Sequence, residues 1–154
     1  MHFEADPIQL AIAFAGIALS LATAALALLR DWRSLAYRAF AAGMISLAAE
    51  TFFALLTRGA ELPSEAFRWG IWSLVARALV PGCWLLFSFS YARQNYLEFV
   101  RDWKWVILAA FIIPVLLVVA GGGYLIADLR YVPVDDWLFS LGASGYALYI
   151  ILLL

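Results

Sequence analysis

The chain has almost none of the residues from which soluble enzymes build their centres. It contains one histidine, His2, and one cysteine, Cys83. A single cysteine excludes an internal disulfide framework and a cysteine-based metal cluster. A single histidine at the extreme N-terminus excludes, within this chain, a His-ligated haem and a phosphoacceptor-histidine domain. Charge is also scarce: 14% of residues are charged, where soluble domains carry about a quarter. There is no HExxH, no nucleophile–base pair, no carboxylate cluster inside an apolar run and no ladder of arginines. Gly121-Gly122-Gly123 is followed by Tyr124-Leu125, not by the Lys and Ser or Thr that a phosphate cradle needs. No catalytic residue, metal or cofactor is therefore expected, and no nucleic-acid partner.

What the chain has is apolar surface. Hydrophobic residues make up 66% of its 154 residues and the mean hydropathy is +0.92. A soluble domain of this size cannot hide that much, so the sequence reads as a single polytopic membrane domain over residues 1–154. Five apolar segments are each long enough for a hydrocarbon core that needs about 20 helical residues. They run over about 8–29, 35–57, 69–91, 105–126 and 137–154. Backbone groups in lipid must be satisfied within the segment, so an all-α fold of about five transmembrane helices is expected. Continuous rather than alternating apolar runs exclude a β-barrel. Cys83 lies in such a run and reads as a small buried hydrophobe.

The N-terminus, Met-His-Phe-Glu-Ala-Asp-Pro, is acidic where a signal peptide is basic, so the first segment reads as a retained span. Short loops set orientation. Arg30, Arg33, Arg38, Arg93, Arg101 and Lys104 fall on one side of the five-span scheme, and Arg58, Arg68 and Arg130 on the other. That bias places the N-terminus outside. Trp32, Trp103 and Trp105 mark the inner interface, and Trp69, Trp72 and Trp137 the outer one. The chain stops at Ile150-Ile151-Leu152-Leu153-Leu154 with no polar anchor, which suggests the N-terminal part of a longer protein.

Two opposite charges interrupt the apolar runs. Glu50 lies in the second segment and Arg77 in the third. A charge at mid-membrane costs about 2.5–3.5 kcal/mol on insertion scales, so it is kept with a partner or a use. At about 1.5 Å per residue both lie roughly 10–12 Å below the outer surface, a depth at which they can meet. Three readings stand open: an ion pair that fixes helix packing, a ligand or proton site, and snorkelling of Arg77 to the interface. Pro81 removes the helical donor for the Arg77 carbonyl. Arg77, Pro81, Trp84, Ser88 and Tyr91 are spaced along one helix face. Gly43, Ser46, Glu50 and Ala54 form a small and polar face on the second segment. The candidate intramembrane polar site is therefore Glu50, Arg77, Pro81, Ser46, Trp84 and Ser88. Pro114 likewise frees the carbonyl of Ala110, and the three glycines at 121–123 suggest a fraying helix end. Gly142, Gly145 and Tyr149 on the fifth segment form a small face suited to another helix. Expected partners are the lipid bilayer and further helices of the same or a partner chain, including a homodimer. Asp135-Asp136 reads as a solvated helix cap.

The stretch Pro81-Gly-Cys-Trp-Leu-Leu-Phe-Ser-Phe-Ser-Tyr-Ala-Arg93 resembles the multi-span N-terminal sensor regions of bacterial histidine kinases. It is most similar to those of the PEP-CTERM/exosortase protein-sorting and exopolysaccharide systems. The segment from Trp103 to Pro114, a basic aromatic loop leading into a proline-containing span, is similar too. The resemblance covers about residues 69–120 and implies a non-catalytic sensory region of a two-component system in the bacterial inner membrane. The kinase motifs of that family are not in this chain. A fragment or subunit of a transporter and a structural subunit of a larger membrane complex are the alternatives.

Overall fold

The structure, a computed structural model, describes residues 7–91, 96–132 and 136–141. Helix α1 spans Pro7–Asp31 and α2 spans Leu35–Arg58. Helix α3 spans Pro63–Tyr91, the short α4 spans Tyr96–Asp102 and α5 spans Lys104–Leu125. A β-hairpin follows, β1 at Ile126–Val132 and β2 at Asp136–Leu141. Helices α1, α2 and α3 are each long and apolar enough to cross a bilayer, and α4 with α5 makes a fourth such unit if the bent pair counts as one span. These helices mark the chain as a membrane protein.

Local chemistry sets the helix ends. In the α1–α2 turn the Ser34 amide donates to the Asp31 carbonyl, and the Asp31 carboxylate accepts the Arg33 amide at 3.1 Å. Helix α2 ends at Gly59, whose amide still donates to the Leu55 carbonyl at 3.0 Å. Helix α3 then starts earlier than the apolar run suggests. Pro63 is its first residue and Glu65 lies in its first turn. Proline suits that position because its missing N–H would have no partner there anyway, and an acid there favours the helix dipole.

The long helices pack antiparallel in the order α1, α2, α3, α5. Arg58 at the end of α2 donates to the Gln9 side-chain oxygen at the start of α1. Gly43 lies against Cys83 while Phe53, further along α2, stacks on Trp69, earlier in α3. Small residues make these approaches possible: Ala24 and Ala27 of α1, and Ala36, Ala39, Ala41, Gly43 and Ala48 of α2, are buried. Between α3 and α5 small meets large. Ala78 and Val118 are fully buried with Ile71, Leu74, Val75 and Val115 around them. Gly82 receives the Phe111 ring. At the far end of the pair, Phe89 meets Phe99 edge-on at 4.8 Å between centroids and Trp103 at 6.0 Å, which ties the 61° elbow between α4 and α5 to α3.

The structure departs from the expected fifth span. Residues 137–141, its beginning, belong to β2 rather than to a helix; residues 142–154 lie outside the described residues, and with them the small face at Gly142, Gly145 and Tyr149. β1 and β2 pair antiparallel, with Leu129 opposite Phe139 and Tyr131 opposite Trp137. The sequence reason is a local change of period. In Ile126–Val132 the charges Asp128 and Arg130 alternate with Leu129 and Tyr131, a period-two pattern that the apolar stretch after 137 hides. The glycines at 121–123 do not end α5, which continues to Leu125.

A Cβ added at Gly82 would lie 2.7–2.8 Å from three atoms of the Phe111 ring, including its attachment carbon. Gly82→Ala should therefore cost about 1–3 kcal/mol through overpacking, read as a lower melting temperature in detergent. In a Phe111→Ala background Gly82→Ala should cost much less than in the unaltered chain, because Cγ and both Cδ atoms that the new methyl meets are gone.

Candidate functional site

The α2–α3 seam brings the two intramembrane charges together. Arg77 Nη1 lies 3.5 Å from Glu50 Oε1. Glu50 is eight residues before the end of α2, which places the pair roughly 12 Å below that end at 1.5 Å per residue. The pair is not sealed: the chain leaves 40% of the Arg77 side chain and 22% of the Glu50 side chain uncovered. It is a polar centre with one side open.

Ser73 is one helical turn before Arg77, and its hydroxyl donates to the Glu50 backbone carbonyl at 3.3 Å. Sequence alone does not single it out. Its signal was the i, i+4 spacing to Arg77, which puts both on the same side of α3. Ser73 and Arg77 together hold the backbone and the side chain of the same α2 residue. Above the pair, Phe53 stacks on Trp69 at 6.0 Å between centroids and contacts Trp72 at 6.3 Å. Arg68 lies over the Trp69 ring at 5.0 Å. These rings close the end of the seam nearest the α2–α3 turn.

The other expected site residues lie along the seam without converging on the pair. Ser46 is buried, and its hydroxyl donates to the Ala42 carbonyl of its own helix at 2.9 Å. Trp84 packs edge-on against Phe40 at 5.6 Å, at the level of Gly43. Phe40, Trp84, Phe87 and Tyr91 form a continuous aromatic cluster toward the other end of the seam. Pro81 is half-buried inside a helix that continues on both sides of it. Ser88 is exposed on the surface of the chain. Among the described residues no group of three or more His, Cys, Asp or Glu could hold a metal ion.

Comparison with protein-family models, with curated proteins and with solved structures found no match for the chain.

Removing one partner of this half-open pair leaves the other charge uncompensated at membrane depth, at a cost of about 2.5–3.5 kcal/mol at most on insertion scales. Glu50→Gln and Arg77→Gln should each lower the melting temperature and the folded yield in lipid or detergent. The double variant should recover most of the loss. Additive losses would show that the two side chains do not stabilise each other.

Proposed function

We propose that this chain is the membrane-embedded sensory region of a bacterial sensor kinase, not catalytic in itself, in the inner membrane. The observation that carries the reading is the half-open Glu50–Arg77 pair. A charge pair at this depth that its own chain leaves partly uncovered is poised to respond to what reaches it from the bilayer. Pro81, one turn after Arg77, weakens the helix locally because it removes one backbone donor. A change at the pair would therefore pass along α3 toward Tyr91 and the α4–α5 elbow. The resemblance of Pro81–Arg93 to histidine-kinase sensor regions supports the same reading, in which the N-terminus lies outside.

One observation favours a second reading, a purely structural membrane subunit. The buried hydroxyls of Ser46, Thr57 and Ser90 all donate to carbonyls of their own helices. The seam is then held by packing, and the pair serves register alone.

The test is made on the full-length gene product. The sensor reading expects a phosphoacceptor histidine and an ATP-binding module beyond Leu154, with the first and third loops cytoplasmic. Cysteine labelling from the outer side should reach substitutions at Glu61 and miss those at Asp31. The Glu50→Gln/Arg77→Gln double variant should regain stability while autophosphorylation no longer responds to the stimulus. A double variant that recovers both stability and response would place the pair in the structural role. Absence of any kinase module would overturn the sensor reading.

A further inference from the structure

The end of the bundle that holds the α1–α2 turn differs from the opposite end. Three arginines lie within nine residues: Arg30 in the last turn of α1, Arg33 in the turn, and Arg38 in the first turns of α2. All three are exposed. Two are held on aromatic faces, with the Arg30 guanidinium 5.9 Å from the Tyr37 ring centre and that of Arg33 5.5 Å from the Trp32 ring centre. A guanidinium resting on a ring keeps its edge N–H groups available, and those match phosphate oxygens in pairs. The one acid in the turn, Asp31, has its carboxylate engaged by the Arg33 amide. Ser34 caps α2 without a side-chain hydrogen bond to the first-turn amides, so the positive end of the α2 dipole adds to the same field. At the opposite end of the same helices Arg58 and Arg68 are accompanied by Glu61 and Glu65.

The surface beside these arginines is apolar. Leu26 is 65% exposed, Leu29 82% and Trp32 67%. Leu26 and Leu29 lie in the last turns of α1 and Trp32 in the turn itself, next to Arg30 and Arg33 in the chain. A free phosphate would use the arginines and leave these side chains unmatched. An amphiphile with an anionic phosphate head and acyl chains matches both.

We infer that the α1–α2 turn is a binding site for an anionic phospholipid, its phosphate held by Arg30, Arg33 and Arg38 and its chains lying along Leu26, Leu29 and Trp32. The site is separate from the Glu50–Arg77 pair and does not depend on a sensory role. A turn anchored in this way is fixed at headgroup level, so α1 and α2 move together relative to the membrane surface.

Native mass spectrometry of the purified chain, titrated with phosphatidylglycerol or phosphatidylcholine, reads the preference. Cations near an anionic surface contribute severalfold each, so phosphatidylglycerol should be retained on the order of tenfold or more over phosphatidylcholine. The preference should collapse in the Arg30→Gln/Arg33→Gln/Arg38→Gln variant. It should survive in Arg58→Gln/Arg68→Gln and be kept only in part in the triple Arg→Lys variant, which retains the charge but loses the paired N–H groups. For the unaltered chain, phosphatidylglycerol occupancy should fall as salt rises. Equal retention of the two lipids, salt-independent occupancy, or a preference untouched by the triple Gln variant would overturn the inference. Complete displacement by millimolar inorganic phosphate would also overturn it, by showing that the arginines hold a free anion without the acyl chains.

Discussion

A guanidinium and a carboxylate meet across the α2–α3 seam, and the position of everything near them follows from that contact. In lipid the hydrocarbon outside a helix is as apolar as the side chains inside, so burial of leucine against leucine gives little preference for one packing over another. Small residues permit close approach, but many registers of an alanine-rich face permit it equally. A charged pair does not. Sliding α3 by one residue would turn Arg77 by about 100° and leave Glu50 without its counter-charge. The Ser73 hydroxyl on the Glu50 carbonyl adds a second fixed point one turn away. Two polar contacts thus choose among the packings that Gly43 against Cys83 and the neighbouring alanines merely allow.

Helix α3 is shared between two different kinds of interface. Toward α2 it presents Cys83, Trp84 edge-on to Phe40 and Trp69 stacked on Phe53; toward α5 it presents Ala78 and Gly82. Pro81 lies between these faces, directly before the glycine that takes the Phe111 ring. The point at which Pro81 removes a backbone donor from α3 therefore lies directly beside a close contact with α5. The α3–α5 side is packed tightly enough that a methyl group cannot be added without displacement. A rearrangement at the pair would then move α5 with α3 as one body, and the Phe89–Phe99–Trp103 cluster would carry α4 with them.

The parts of this arrangement that the sequence made legible are those that break a rule. Glu50 and Arg77 stand out because charge is costly at that depth, and counting residues along two helices was enough to bring them to one level. Helices α1, α2, α3 and α5 were legible from length and hydropathy. The start of α3 was not, because Pro63 and Glu65 look like loop residues until their places in a first helical turn are known. Ser73 was missed because one serine in an apolar helix has many possible uses and only the position of α2 selects this one. The contact between Gly82 and Phe111 was equally hidden: small residues recur throughout these helices, and nothing local says which one a ring on another helix will reach. The hairpin at 126–141 was obscured by composition, since an apolar window centred past 137 outweighs the alternation of Asp128 and Arg130 before it.

The two charged regions of the chain work by opposite physics. At the Glu50–Arg77 level the surroundings are apolar, so a charge is tolerable only through its partner, and the interaction fixes where two helices sit relative to each other. At the α1–α2 turn the arginines are exposed beside an apolar surface, and it is a lipid phosphate rather than a protein carboxylate that answers their charge, so the interaction sets where the helices sit relative to the membrane. Helix α2 carries both, with Arg38 near its start and Glu50 three turns later. Because a helix is stiff over that distance, the height of the pair in the bilayer is set by the headgroup contacts at the turn. The depth at which the half-open pair meets the hydrocarbon is then a fixed property of the fold rather than a variable of helix tilt.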